Sequence, residues 1–192
     1  MRAVGGKVAV IGTHGVGKTI LTLSIASELR KVNVDADVVC EISRRSPYPI
    51  NEGTTRQGQL WILATQMQQE LECGLRCRTV VCDRSLLDNY AYMVRAVGRQ
   101  LYLHPMLREW LPTYDVLFHV PMIEETVVPD AKRAPSPAFR REIDRIICDL
   151  LGEFELEKRV VRLPDDRTRH VEFIVQTLRD RHVIPPEEPK LF

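Results

Sequence analysis

KVAVIGTHGVGKTILTLSIASEL, residues 7–29, sets a β-branched run, a glycine-rich turn and an amphipathic stretch in immediate succession. Val8-Ala9-Val10-Ile11 predicts a short strand of a parallel sheet, apolar on both faces. Ile20, Leu21, Leu23, Ile25, Ala26 and Leu29 are spaced for one face of a helix about three turns long. Between them, Gly12-Thr13-His14-Gly15-Val16-Gly17-Lys18-Thr19 fits G-x-x-x-x-G-K-[ST] at every fixed position. Glycine at 12, 15 and 17 lets the backbone take left-handed angles and approach a polyphosphate closely. Successive amides then form a nest for phosphate at the positive end of the helix dipole. Lys18 can reach the outer phosphate oxygens, and the Thr19 hydroxyl can take a position on Mg²⁺. The expected nucleotide-binding set is Gly12, His14, Gly15, Val16, Gly17, Lys18, Thr19 and Ile20, with ATP and Mg²⁺ as ligands.

Downstream, strands and helices alternate. Residues 36–41, 78–83, 115–120 and 159–163 read as strands. The stretch 42–53 reads as a loop, through Pro47, Pro49, Asn51 and Gly53. A long helix is expected from a cap at Thr54 or Thr55 to about residue 73, with Leu60, Trp61, Leu63, Ala64, Met67 and Leu71 as its apolar stripe. Further helices are expected after Ser85, over 104–111, over 139–154 and over 171–183. Such alternation makes a parallel sheet covered on both faces, with ligands gathering beyond the carboxyl ends of the strands. That rule gathers 12–19, 41–51, 83–88 and 121–141 around one crevice. The chain reads as one domain over 1–184, with a basic lid at about 121–141 and a loosely held tail at 185–192.

The strand-end acids and arginines suggest a second set of chemical groups. Glu41 ends one strand; its carboxylate could take a proton from an attacking hydroxyl or hold magnesium through water. Asp83 ends another and is placed to hold Mg²⁺ or an acceptor hydroxyl, with a helix cap as the alternative. Arg84 can make a two-pronged contact with phosphate or hydroxyls. Arg44 and Arg45 stand at the mouth, where ion pairs to Glu52 or Asp88 are the structural alternative. Among the lid cations Lys132, Arg133, Arg140, Arg141 and Arg145, Arg133 and one of Arg140 or Arg141 are favoured to close on the transferring phosphoryl group. Arg167 or Arg169, after the last strand, could stack on the donor base. Gln66 could hydrogen-bond an acceptor base or simply face solvent.

The 192 residues carry a net charge of +1, which argues against bulk electrostatic binding to nucleic acid. No apolar run is long enough for a membrane span, and residues 1–6 lack the apolar core of a secretory signal. With five cysteines and no zinc-type spacing, a reducing, cytoplasmic setting is expected. Cys40, Cys82 and Cys148 read as buried thiols. A homodimer is left open.

Beyond the glycine loop, E-x-x-R at 41–44, P-x-P-I-N-E at 47–52, C-D-R-S at 82–85, F-R-R-E-I-D at 139–144 and D-x-R at 165–167 form an ordered set. The chain resembles the P-loop kinase group of thymidylate, deoxynucleoside and ribosylnicotinamide kinases, and within it the AAA-labelled kinase-like ATPases. The resemblance implies a three-layer α/β fold of the P-loop NTPase type, with a five-stranded parallel sheet in the order 2-3-1-4-5 and an arginine-bearing lid. It implies that Glu41 matches the base of deoxynucleoside kinases. It makes Asp83-Arg84 their acid-arginine pair, or the thymidylate kinase pair that grips an acceptor phosphate, and Arg133 and Arg140 lid arginines. Asp83 stands where the deoxynucleoside kinase pattern has glutamate, and no aromatic follows Arg84 as in thymidylate kinases. The acceptor is therefore open between nucleoside, nucleotide and another hydroxyl. The expected function is transfer of the ATP γ-phosphate to such an acceptor. A partner-regulated ATPase switch and a 5′-hydroxyl polynucleotide kinase are the rival readings.

Overall fold

In the computed structural model, residues 5–122 and 136–186 are described. Five parallel strands form one sheet: β1 (Lys7–Ile11), β2 (Ala36–Val39), β3 (Thr79–Asp83), β4 (Val116–His119) and β5 (Val160–Arg162), in the order β2-β3-β1-β4-β5. This is the 2-3-1-4-5 order that the resemblance implies. Val8 pairs with Val81 on one side of β1 and with Val116 on the other, so the glycine loop leaves from the middle of the sheet.

Strand alternation sends successive side chains to opposite faces. Val8 and Val10 join Leu21, Ile25 and Leu29 of α1 (Lys18–Lys31) and Ile174 and Leu178 of α6 (His170–Asp180). Ala9 and Ile11 join the opposite core, built with α2 (Arg56–Arg76), α3 (Leu86–Val97), α4 (His104–Trp110) and α5 (Pro137–Glu153). A fully buried leucine or isoleucine in such layers contributes about 1.5–3 kcal/mol of transfer free energy. The two layers hold β1 rigidly, so the loop it feeds has a fixed origin.

Two helix faces differ from expectation. On α1 the buried side is Lys18, Leu21, Thr22, Ile25, Ala26 and Leu29, while Ile20 is 75% and Leu23 52% exposed. The 3.6-residue period chooses the first set once Lys18 must face inward. On α2 the buried side carries Gln59, Gln66 and Glu70, and Leu71 faces water. That helix turns amides toward the carboxyl ends of β2 and β3, where polar groups await them. Cys82 is buried, but Cys40 and Cys148 are exposed. Cys40 follows the end of edge strand β2, and Cys148 lies on the outer side of α5 beyond Ile147.

Candidate active site

The loop from Gly12 to Gly17 takes the backbone its glycines allow, with φ of 137° at Gly12, 76° at Gly15 and 89° at Gly17. A Cβ on Gly12 would lie 2.9 Å from the Val120 carbonyl oxygen, so side chains are excluded there by contact as well as by φ. The Gly12 amide donates to Asp88 Oδ1 at 2.9 Å. Lys18 folds back and donates from Nζ to the Thr13 carbonyl at 2.6 Å. Burial, with Arg84 adding repulsion against Asp88, Asp83 and Glu41, pushes its pKa down to about 7. His14 is pushed down to about 4, first by burial and then by Arg84, Lys18 and Arg140, so it is neutral at pH 7.

Across from the loop, β3 ends at Asp83. Its carboxylate is 1% exposed, and among the described residues neither oxygen has a hydrogen-bond partner of good geometry. Burial raises its pKa, against the pull of the nearby Thr19 hydroxyl, Arg84 and Lys18. A buried anion without partners is costly, and such a group is the usual mark of a missing ion or ligand. Asp83 and Thr19 offer hard oxygen donors of the kind Mg²⁺ takes beside phosphate. The residues fit the ion.

Arg84 has φ of 83°, a left-handed backbone that costs a non-glycine residue about 1–2 kcal/mol. Contacts from both its backbone and its side chain hold it. Its amide donates to the Val10 carbonyl at 3.1 Å, and its own carbonyl accepts from Gln66 Nε2 at 3.3 Å. Its Nε donates to Glu41 Oε1 at 3.1 Å, with the guanidinium 5.2 Å from the Tyr92 ring centre. Its pKa is raised: burial would lower it, but Tyr92 and the carboxylates of Glu41, Asp88 and Asp83 prevail. Strain of this kind concentrates at functional sites.

Glu41 sits two residues past β2 and also accepts from the Ser43 hydroxyl and from Arg44 Nε, each at 2.8 Å. Burial would raise its pKa, but Arg84, Arg44 and Ser43 hold it well below the usual carboxylate range. Ser85, not Asp83, caps α3: its side chain accepts from the Asp88 amide while Asp88 Oδ2 accepts from the Ser85 amide at 2.9 Å. On α5, Arg140 donates from Nε to the His14 carbonyl at 2.9 Å, and its buried Nη2 has no partner among the described residues. Burial, then Arg167, lowers its pKa, so the two guanidinium groups feel each other.

Beside Arg84 lies a narrow pocket lined by Ser43, Ile50, Asn51, Gln59, Ile62, Asn89 and Tyr92 as well, with room for roughly one water molecule. Gln59 and Asn89 are 3% and 4% exposed, and Gln59 Oε1 and Asn89 Nδ2 have no hydrogen-bond partner among the described residues. An unpaired acceptor and an unpaired donor therefore line one small cavity.

The sequence model of the AAA domain family matches residues 7–169. The chain belongs to that family. No curated protein matches it. Among solved structures, NadR protein in complex with NR has 18% identity and a TM-score of 0.72, over 99% of this chain and 55% of NadR. A second NadR complex, with NAD and AMP-PNP, has 16% identity and a TM-score of 0.62. Deoxyadenosine kinase from M. mycoides with bound dCTP has 16% identity and a TM-score of 0.63, covering 91% of this chain and 99% of the kinase. This chain spans about half the length of NadR. These likenesses show the fold alone.

In this AAA domain, Lys18, Thr19, Asp83, Arg84, Glu41 and Arg140 converge on one crevice with the glycine loop. Ile20 turns outward. Arg133, Lys132 and most of the expected lid lie outside the described residues. Gln66 is fully buried and neither faces solvent nor reaches the pocket, because Glu70 and the Arg84 carbonyl occupy its amide. Arg44 pairs with Glu41, not with Glu52 or Asp88. Sequence reasoning missed Asp88, Gln59, Asn89 and Tyr92. Their signal was available in part: Ser85 followed by Asp88 has the spacing of a capping box.

Proposed function

We propose that this AAA domain transfers the γ-phosphate of ATP, with Mg²⁺, to a hydroxyl of a nucleoside or nucleotide. The observation that carries the reading is a second cluster of buried polar groups, Gln59 Oε1 and Asn89 Nδ2 beside Arg84, around a small pocket that would have to widen to admit an acceptor. Hydrolysis to free phosphate needs no such pocket. The ligands in the neighbours' names, NR and dCTP, suggest the acceptor class.

In this reading the amides of residues 12–19 cradle the phosphates. Lys18 leaves the Thr13 carbonyl for phosphate oxygens. Asp83 and Thr19 would hold magnesium, whose charge neutralises the developing phosphate negative charge. Transfer through a loose transition state is mostly a matter of position and charge. Arg44 is largely exposed, so when it swings off Glu41, Oε2 becomes free to accept the acceptor hydroxyl and take its proton. Arg84 keeps the other oxygen fixed. Gln59 Oε1 and Asn89 Nδ2 would read the flat polar edge of the acceptor. The unpaired Nη2 of Arg140, and Arg133 from the expected lid, would meet the moving phosphoryl group, and Arg167 the donor base.

The experiment is incubation with γ-labelled ATP and a panel of nucleosides, nucleoside monophosphates and single-stranded oligonucleotides, with Lys18→Ala as control. Label is expected in one nucleoside-type acceptor and absent with Lys18→Ala at unchanged circular dichroism. Free phosphate as the sole product would support the ATPase switch, and labelled oligonucleotide the polynucleotide kinase.

A further inference from the structure

Between β4 and α5, outside the crevice residues above, three side chains of mixed chemistry meet. His119 ends β4, and Asp144 and Cys148 stand one turn apart on α5, a spacing that puts both on one helix face. One ligand atom from each, a His119 ring nitrogen, an Asp144 oxygen and Cys148 Sγ, lies within 4.8 Å of the other two. His119 Nε2 is already 3.0 Å from Asp144 Oδ1.

We propose that His119, Asp144 and Cys148 form a zinc site that ties β4 to α5. Imidazole, carboxylate and thiolate suit Zn²⁺, whereas Mg²⁺ and Ca²⁺ take oxygen sets. Tetrahedral zinc places its ligand atoms about 3.3–3.8 Å apart, so the wider separations need to close by up to about 1.5 Å and the His119–Asp144 pair to open slightly, within reach of side-chain rotation. Cys148 gives its thiol proton to solvent and binds as thiolate. His119 and Asp144 side chains are 12% and 26% exposed, and Cys148 is exposed. Entry is thus from the Cys148 side, with water as fourth ligand. Asp149 adds negative charge near Cys148, opposed by Arg162, the register partner of His119 on β5.

The site adjoins the nucleotide loop without belonging to it. His119 Cδ2 is 3.6 Å from where a Cβ on Gly12 would stand. Arg140, one turn before Asp144 on α5, holds the His14 carbonyl. An ion here would fix the strand and the helix that touch that loop.

The test uses the full chain, stripped of metal and titrated with Co²⁺ and then Zn²⁺. One equivalent of cobalt should give visible bands of a four-coordinate site and a near-ultraviolet thiolate-to-cobalt band, both removed by one equivalent of zinc. Cys148→Ser should abolish the thiolate band and weaken zinc binding at least about tenfold, with Asp144→Asn also weakening it. A Cys73→Ser/Cys77→Ser variant should change neither. Because residue 148 is on the surface, Cys148→Ser is expected to keep the wild-type melting temperature in chelator. Absence of the thiolate band in the wild type, its survival in Cys148→Ser, or its loss in the Cys73/Cys77 variant would each overturn the assignment.

Discussion

Replacing Asp83 by asparagine should stabilise the ligand-free protein and abolish its response to magnesium. Asp83 is buried, both its oxygens lack partners, and its pKa is raised, chiefly by burial. An acid whose pKa is higher folded than unfolded binds more protons in the folded state, so stability falls as pH rises through the folded pKa. At neutral pH the charge therefore opposes folding. Removing the charge while keeping the shape should return about 1–3 kcal/mol, the extra cost of burying a charge over the neutral amide that replaces it. For a chain of this length about 1 kcal/mol moves the melting temperature by roughly 3 °C, so a rise of about 3–9 °C is expected at pH 7. It should shrink as pH falls through the raised folded pKa of Asp83 and vanish below the ordinary carboxylate range, where the acid is protonated folded and unfolded alike. Wild type should gain about 2.7 kcal/mol at ATP a hundredfold above Kd, and more of it with Mg²⁺ than with chelator. In Asp83→Asn the Mg²⁺-dependent part should disappear. Thermal melts at two pH values, with ATP plus or minus Mg²⁺, read all of this at once. A destabilised variant that keeps the full magnesium increment would refute the reasoning.

Other expectations follow from the same site. Glu41→Gln should lower turnover about 10²-fold with ATP affinity little changed, read from steady-state rates and nucleotide titration; an equal loss of ATP binding would make Glu41 a magnesium ligand instead. Asn89→Leu and Gln59→Leu should each raise the KM for the acceptor by tenfold or more and leave the KM for ATP alone, since each removes one reading group from the second pocket. With Lys18 held at about 7, binding ATP should raise its pKa and draw in a proton. Calorimetry in buffers of different ionisation enthalpy should show proton uptake at pH 7.5 that is absent in Lys18→Met, and affinity falling as pH rises above 7.

The fold was legible because β1, its glycine loop and α1 follow each other without interruption, and because the later strands are short apolar runs with a polar residue at or just after their ends. The chemistry at strand ends was legible for the same reason: Asp83 ends β3 and Arg84 comes directly after it. What stayed hidden lies on helix faces. Gln59, Gln66 and Glu70 have the composition of a solvated side of α2, and only tertiary packing turns them inward. Asn89 and Tyr92 lie within a helix whose apolar residues dominate its pattern. The outward turn of Ile20 was hidden too, since the register of α1 depends on where the loop places Lys18.

Asp88 shows how one residue can couple the two halves of the site. Its Oδ2 accepts from the Ser85 amide and hydroxyl and so fixes the turn that presents Asp83 and Arg84. Its Oδ1 accepts from Gly12, the first amide of the nucleotide loop. The cap of α3 and the start of the phosphate cradle are thus bonded to the same carboxylate. Asparagine could keep only one of these contacts as an acceptor, because its NH₂ cannot accept from an N–H. Asp88→Asn should therefore cost about 1–3 kcal/mol of stability through an unsatisfied buried amide. It should also weaken ATP and acceptor binding together, whereas changes confined to Gln59 or Lys18 affect one ligand. Melting temperature with paired titrations of ATP and acceptor separates these outcomes, and a variant losing only one affinity would show that the two halves are held independently.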